Sequence, residues 1–216
     1  MSVWAAGCGG SAPHHPAAAA ATSTPSATPS AASSSAAAGA LVQRAAVALA
    51  KVRSYRFDAL ETVNAASSAT TRVTGSVVRT QGVAYTLTVG RTRTQVIRLY
   101  AGTYVRKVPG AWARLQKPRP VSDPTATLSA VLHGLTDVKL VGAQTVDGTL
   151  PPAAASKAGI PTSDAPAQAS LTLDALGHVV RLVVRTTTTA NTHSVAVTLV
   201  TSYTGFDGVP TLRPPV

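Results

Sequence analysis

No charged side chain precedes Arg44, and all 19 lysines and arginines and all 8 aspartates and glutamates lie at or beyond it. That asymmetry divides the chain into a leader of small residues and a remainder able to fold as one domain of about 170 residues. Within the leader, residues 9–40 are almost wholly Ala, Ser, Pro, Thr and Gly, with His14 and His15 the exceptions. Such a tract buries too little apolar area to offset its ordering entropy, so residues 8–39 are expected to be a disordered linker. As a flexible coil it would separate its ends by roughly 30 Å, and by about 100 Å at full stretch. Two adjacent histidines in such a segment make no metal site by themselves, and the Ser/Thr/Pro content permits O-glycosylation. The remainder is large enough to bury roughly 70% of its unfolded surface, and so needs no disulfide.

The chain has 1 cysteine, Cys8, which rules out an intramolecular disulfide. The stretch Trp4-Ala5-Ala6-Gly7-Cys8 resembles a lipobox, where bacterial prolipoproteins are cut before an acylated cysteine. Small residues pass the peptidase cleft, and the thiol accepts the acyl chain. A signal peptide also needs a basic start and an apolar core of about 7–15 residues. Residues 1–7 are therefore expected to be the remnant of one, with its apolar core upstream of Met1. Cys8 would then anchor the exported chain on the outer face of the cell membrane. No run of about 18 strongly apolar residues exists to span a bilayer.

A net charge of +11 suits a nucleic acid, an anionic membrane or an acidic ligand. Lysine and arginine never form a block, aromatics are only 4% of the chain, and no nucleic-acid motif occurs. Nucleic acid is thus not an expected partner. A basic face near anionic lipid fits better, since each juxtamembrane cation contributes about 1 kcal/mol there.

Leu41, Val42, Ala45, Leu49 and Val52 recur at helical spacing, predicting an amphipathic helix over about 40–53. The period then shortens. Tyr55, Phe57, Ala59 and Val63 share one strand face, Thr70–Thr80 is rich in Val and Thr, and Tyr85, Leu87 and Val89 alternate with threonines. Gln95–Tyr100 and Thr103–Val108 flank a turn at Ala101-Gly102, and Pro109-Gly110 leads into Trp112–Leu115. A second helix is signalled by Asp123 as cap, Pro124 in the first turn, and the stripe Leu128, Val131, Leu132 and Leu135, with Gly134 weakening its end. Val138–Val146 is expected as a strand closed by a turn at Asp147-Gly148. Residues 149–168 read as a long loop. Ser170–Asp174, His178–Thr188 and Ser194–Thr204 complete an antiparallel α+β arrangement.

Several phrases in this order resemble the actinobacterial lipoproteins of the LppX/LprA/LprG group, which share the fold of the LolA and LolB carriers. They are Val52-Arg53-Ser54-Tyr55-Arg56-Phe57, then Gly102-Thr103-Tyr104-Val105-Arg106 with Pro109-Gly110 and Trp112. Val141-Gly142 leading to Val146-Asp147-Gly148, and Asp174…Gly177-His178 with Arg181-Leu182, complete the set. The resemblance covers about residues 38–212. It implies a LolA-like domain over 40–216: a strongly curved antiparallel sheet, or incomplete β-barrel, with helices over its concave face and an apolar cavity for acyl chains between. Family members follow the Val-Asp-Gly turn with a further strand that is not evident here, so the sheet is expected to be one strand short and its cavity more open.

Catalytic chemistry is missing from the sequence. There is no Gly-x-Ser-x-Gly elbow, no Ser-x-x-Lys, no His-Glu-x-x-His and no phosphate-binding glycine loop. His133, His178 and His193 are expected on a helix face and strand edges, and Asp147 and Asp174 in turns. The expectation is a non-enzyme with no catalytic residue, metal or cofactor. It would bind a lipid, glycolipid or acylated protein and carry it across the envelope, with an export transporter as a further partner. Phe57, Leu87 and Leu99 are expected to line the sheet side of the cavity, and Leu128, Val131, Leu132 and Leu135 the helix side. The alternatives are an envelope sensor acting through protein contacts at an exposed sheet edge and, behind it, a hydrolase.

Overall fold

The computed structural model describes residues 31–65, 68–116, 124–190 and 193–215. Cys8, His14, His15 and the capping role of Asp123 fall outside them.

Apolar residues at alternate positions, rich in Val and Thr, produce eleven strands. They are β1 (Ser54–Asn64), β2 (Ala69–Val78), β3 (Gly82–Val89), β4 (Thr92–Leu99), β5 (Gly102–Val108), β6 (Ala113–Leu115), β7 (Thr136–Gly142), β8 (Thr145–Leu150), β9 (Ala167–Leu173), β10 (Val179–Ala190) and β11 (His193–Thr204). All belong to one sheet in the order β6-β5-β4-β3-β2-β1-β11-β10-β9-β8-β7. Every pairing is antiparallel and joins strands consecutive in the chain, except that β1 also pairs with β11. The two end strands, β6 and β7, do not pair with each other, so the sheet curls without closing. This is the incomplete barrel expected from the sequence.

Among the described residues there are also three helices, α1 (Ala31–Lys51), α2 (Pro124–Gly134) and α3 (Pro152–Lys157). α1 packs on β7, β8 and α2, and α2 packs on α3. α1 buries Ala38, Ala45 and Leu49, and Val52 just past its end continues the stripe at helical spacing. The Arg79 Nη1 group caps its end, donating to the carbonyls of Leu49, Ala50 and Val52 at 3.3, 2.9 and 3.4 Å. Tyr55, Leu128, Val131, Leu132, Leu150, Leu171 and Leu182 form the centre of the core. At the C-terminal end of the chain, Asp207 Oδ1 accepts the Arg53 and Ser54 N–H groups, at 2.6 and 3.3 Å, holding the terminal segment to the start of β1.

Three local expectations need correction. The first helix begins at Ala31, within the tract read as linker, and Ala38 is fully buried. Alanine is the strongest helix former, and between Pro29 and Lys51 no proline interrupts the helix, Gly39 being its one weak position. Asp147 and Gly148 do not turn the chain. They lie inside β8, the strand the sequence reading missed, which pairs with β7 on one side and β9 on the other; the turn is at Ala143-Gln144. Gly148 stands there because a β-carbon would come 3.0 Å from Leu135 Cδ2 and 3.1 Å from the Thr136 carbonyl. Finally, the supposed loop over 149–168 contains α3, which starts on Pro152, where a missing N–H has no intrahelical partner to lose.

Candidate functional site

Strand register sorts the side chains onto two faces. On the face towards the helices, Phe57 stands opposite Tyr203 on one side and Gly75 on the other; Gly75 faces Tyr85, and Tyr85 faces Val96. One row further along, Ala59, Val73 and Leu87 align, and beyond them Glu61, Leu199 and Val184. A cavity of about 390 Å³ opens above these rows. Its floor is Phe57, Glu61, Val73, Val83, Tyr85, Leu87, Val184, Thr186, Val197 and Leu199. Its roof is Thr127 of α2 and the segment Ala158-Gly159-Ile160-Pro161 that follows α3.

Gly75 makes this floor possible. A β-carbon there would lie 2.4 Å from the Ala84 carbonyl oxygen and 2.9 Å from Phe57 Cζ, so the Phe57 ring occupies space that only glycine leaves. The polar groups on the wall are few. Thr186 Oγ1 donates to Thr162 Oγ1 at 3.3 Å. Burial pushes the Tyr85 hydroxyl above its ordinary pKa, opposed by the charge of Arg98. Behind the cavity, Tyr203 is fully enclosed, and burial followed by proximity to Tyr55 drives its hydroxyl far upward. Tyr55 packs edge-on to Tyr203 at 5.8 Å and shares a 2.8 Å hydrogen bond with Thr125. Among the described residues, no cluster of three or more His, Cys, Asp or Glu could hold a metal ion.

No family model matches the chain. No curated protein matches it in sequence. Among solved structures it is similar to LppX, a lipoprotein of Mycobacterium tuberculosis, with a TM-score of 0.50 and 13% identity over 82% of this chain and 99% of that one. It is equally similar to LprF of Mycobacterium bovis, with a TM-score of 0.50 and 14% identity over 84% and 97% of the two chains. The fold is that of LppX and LprF. At such identities the likeness is one of backbone architecture, and the site must be read from this chain's own residues.

Within this LppX-like fold the expected cavity residues separate. Phe57 and Leu87 both line the cavity. Leu99 stands on the opposite face of the sheet, because Arg98 is the β4 residue that pairs with inward-facing Val83 and Leu99 is its neighbour. It borders a different cavity, of about 520 Å³, among Arg79, Gln81, Arg98 and Thr125. Leu128, Val131 and Leu132 are 3%, 0% and 4% exposed, interior to the core between α2 and the sheet, and Leu135 packs against that core. The wall residue that α2 supplies is Thr127, a polar side chain outside the helix's apolar stripe. Val184, Val197 and Leu199 were also missed, although their alternation with Thr and Arg in the last two strands carried the signal. Ile160 and Pro161 gave none, since they sit in a segment without periodicity.

Proposed function

We propose that this chain is an envelope lipoprotein that binds an acylated molecule in the cavity between its sheet and helices and carries it from one membrane site to another. The observation that carries the reading is the cavity itself. At about 390 Å³ it is at the lower end of the roughly 300–1,000 Å³ typical of ligand sites. Phe57, Val73, Val83, Leu87, Val184 and Leu199 give it walls that favour hydrocarbon. Each CH₂ moved from water into such walls gains about 0.8 kcal/mol, so an acyl chain of ordinary length needs no polar anchor to stay. The curled sheet keeps the space from collapsing.

The same walls offer little for covalent chemistry, and binding without transformation is the role they suit. Acyl chains on Cys8 would hold the protein at the outer face of the membrane; none of the helices in the described residues is long and apolar enough to cross it. A sensor acting through an unpaired edge after Gly148 loses its motive, because β8 occupies that place.

Native mass spectrometry of protein extracted under mild conditions tests the reading. A mass increment that dissociates as lipid, reduced by Leu87→Arg, is expected. Protein that carries none and takes none up from mixed micelles would overturn it. Metabolic labelling with a palmitate analogue tests the anchor separately: label that survives Cys8→Ser would place acylation elsewhere.

A further inference from the structure

We propose that the end of the sheet formed by the β3–β4 hairpin docks on an anionic lipid bilayer, placing the cavity mouth against the membrane. The proposal rests on the lipid-carrying reading for its purpose, while the docking itself rests on exposure and charge.

Exposure gives the direction. The inward-facing residues of β3 are Val83, Tyr85, Leu87 and Val89, each two positions apart. Val83 is 8% exposed, Tyr85 and Leu87 are half-buried cavity walls, and Val89 is 50% exposed at the hairpin. One continuous apolar track therefore runs from the cavity interior to the tip of the hairpin. A hydrocarbon chain sliding along it would trade contact with one side chain for contact with the next, never crossing a polar gap on that strand.

Charge gives the partner. Between Glu61 and Asp123 the sequence contains no carboxylate and ten arginines and lysines. Around the tip these include Arg91 in the turn, Arg93 opposite Val108, and Lys107 opposite Thr94, all exposed. Arg72 is close by but already committed to Asp58, at 2.9 and 2.5 Å. Besides Asp58, which Arg72 neutralises, the carboxylates at this end among the described residues are Glu61, facing the cavity, and Asp164, on the segment that follows Pro161. Three cations beside an exposed valine match what a bilayer surface offers, with phosphates at the level of the guanidinium groups and hydrocarbon beneath. A soluble polyanion would use the cations and leave Val89 in water.

The test compares the full-length protein with two charge-reversal variants, wild type and variants alike carrying Cys8→Ser so that no acyl anchor contributes, in flotation with phosphatidylglycerol or phosphatidylcholine vesicles. One variant is Arg91→Glu/Arg93→Glu/Lys107→Glu. The other, Lys139→Glu/Arg181→Glu/Arg185→Glu, changes net charge equally on the outer face of β7 and β10. Wild type should float with phosphatidylglycerol and not with phosphatidylcholine. The hairpin variant should bind roughly 100-fold more weakly, as expected when about three membrane-facing cations are lost, and the outer-face variant should bind like wild type. Val89→Asp should weaken flotation without lowering the melting temperature. Equal losses in the two triple variants, failure of wild type to float, or capture by soluble polyphosphate with Val89→Asp unaffected would each overturn the docking. Loading from detergent micelles separates the two readings. If wild type floats but loads no lipid, docking stands and carriage falls. If it loads from micelles, and the hairpin variant loads from phosphatidylglycerol vesicles as fast as wild type, docking falls and carriage stands.

Discussion

A single absent methyl group shapes the cavity floor. At most strand positions, replacing glycine with alanine gains roughly 0.5–1 kcal/mol by restricting the unfolded chain. At Gly75 the added carbon would meet the Ala84 carbonyl, Tyr85 Cβ and the Phe57 ring, all within 3 Å. Gly75→Ala is therefore expected to have the opposite sign, destabilising by about 1–3 kcal/mol as overpacking does, and to reduce lipid capture. Thermal melts beside native mass spectrometry would decide; a more stable variant with unchanged capture contradicts this account of the floor. Asp174 makes a prediction in pH. Burial acts to raise its pKa, but the side-chain and backbone hydrogen bonds from His178, the charge of His178 and the Leu176 N–H outweigh it, so the carboxyl sits below its usual range. A carboxyl depressed on folding contributes stability above its unfolded value of about 3.9 and loses it as pH falls through the folded one. Asp174→Asn should thus melt below wild type at neutral pH, with the gap closing in acid. A gap that stays constant with pH would remove the charge from the explanation.

Elements were legible where the period was long and clean, and illegible where a local signal competed with a tertiary one. β1, β3, β5, α2, β10 and β11 lie where alternation or helical spacing placed them, give or take a few residues. Asp-Gly is among the strongest hairpin signals in a sequence, yet at Asp147-Gly148 the glycine serves packing against Leu135 and Val138. Leu99 shows how little separates a right strand from a wrong face: β4 was expected and found, but inside and outside alternate each residue, and the sequence does not state the parity. The Ala-rich start of α1 was hidden by its own composition, which resembles a linker until burial is known. Proline provides a direct check. If the helix began near residue 40, proline at position 38 would lie at its margin and be tolerated. In a helix from Ala31 it falls in the interior at a fully buried site. Ala38→Pro is expected to cost about 3 kcal/mol or more. Denaturant unfolding with little change in midpoint would restore the shorter helix.

The whole molecule is a sheet unevenly supported. The half from β8 through β11 to β1 carries most of the buried side chains, among them Leu150, Leu171, Leu182, Val184 and Tyr203, and the helices pack on that side. The wing from β2 to β6 contributes only Val77, Val83, Val96 and Thr103 to the buried set among the described residues. Its strands are held chiefly by backbone ladders, ending in a three-residue edge strand. Regions with few buried contacts open at lower free energy than the rest of a domain. The wing is also where β3 supplies four cavity walls or their continuation, from Val83 to Val89. An acyl chain in the cavity would therefore add apolar contact where the protein itself has least. Amide hydrogen exchange should show β3, β4 and β5 exchanging faster than β9, β10 and β11 in the lipid-free protein. Saturation with lipid should then slow the wing most, by up to about 100-fold when free lipid is at 100 times its Kd, since linkage at that excess is worth about 2.7 kcal/mol. The segment 158–161 over the cavity should be protected with it. Uniform slowing across all strands would instead mean that the ligand stabilises the domain globally and that the wing has no special share in holding it.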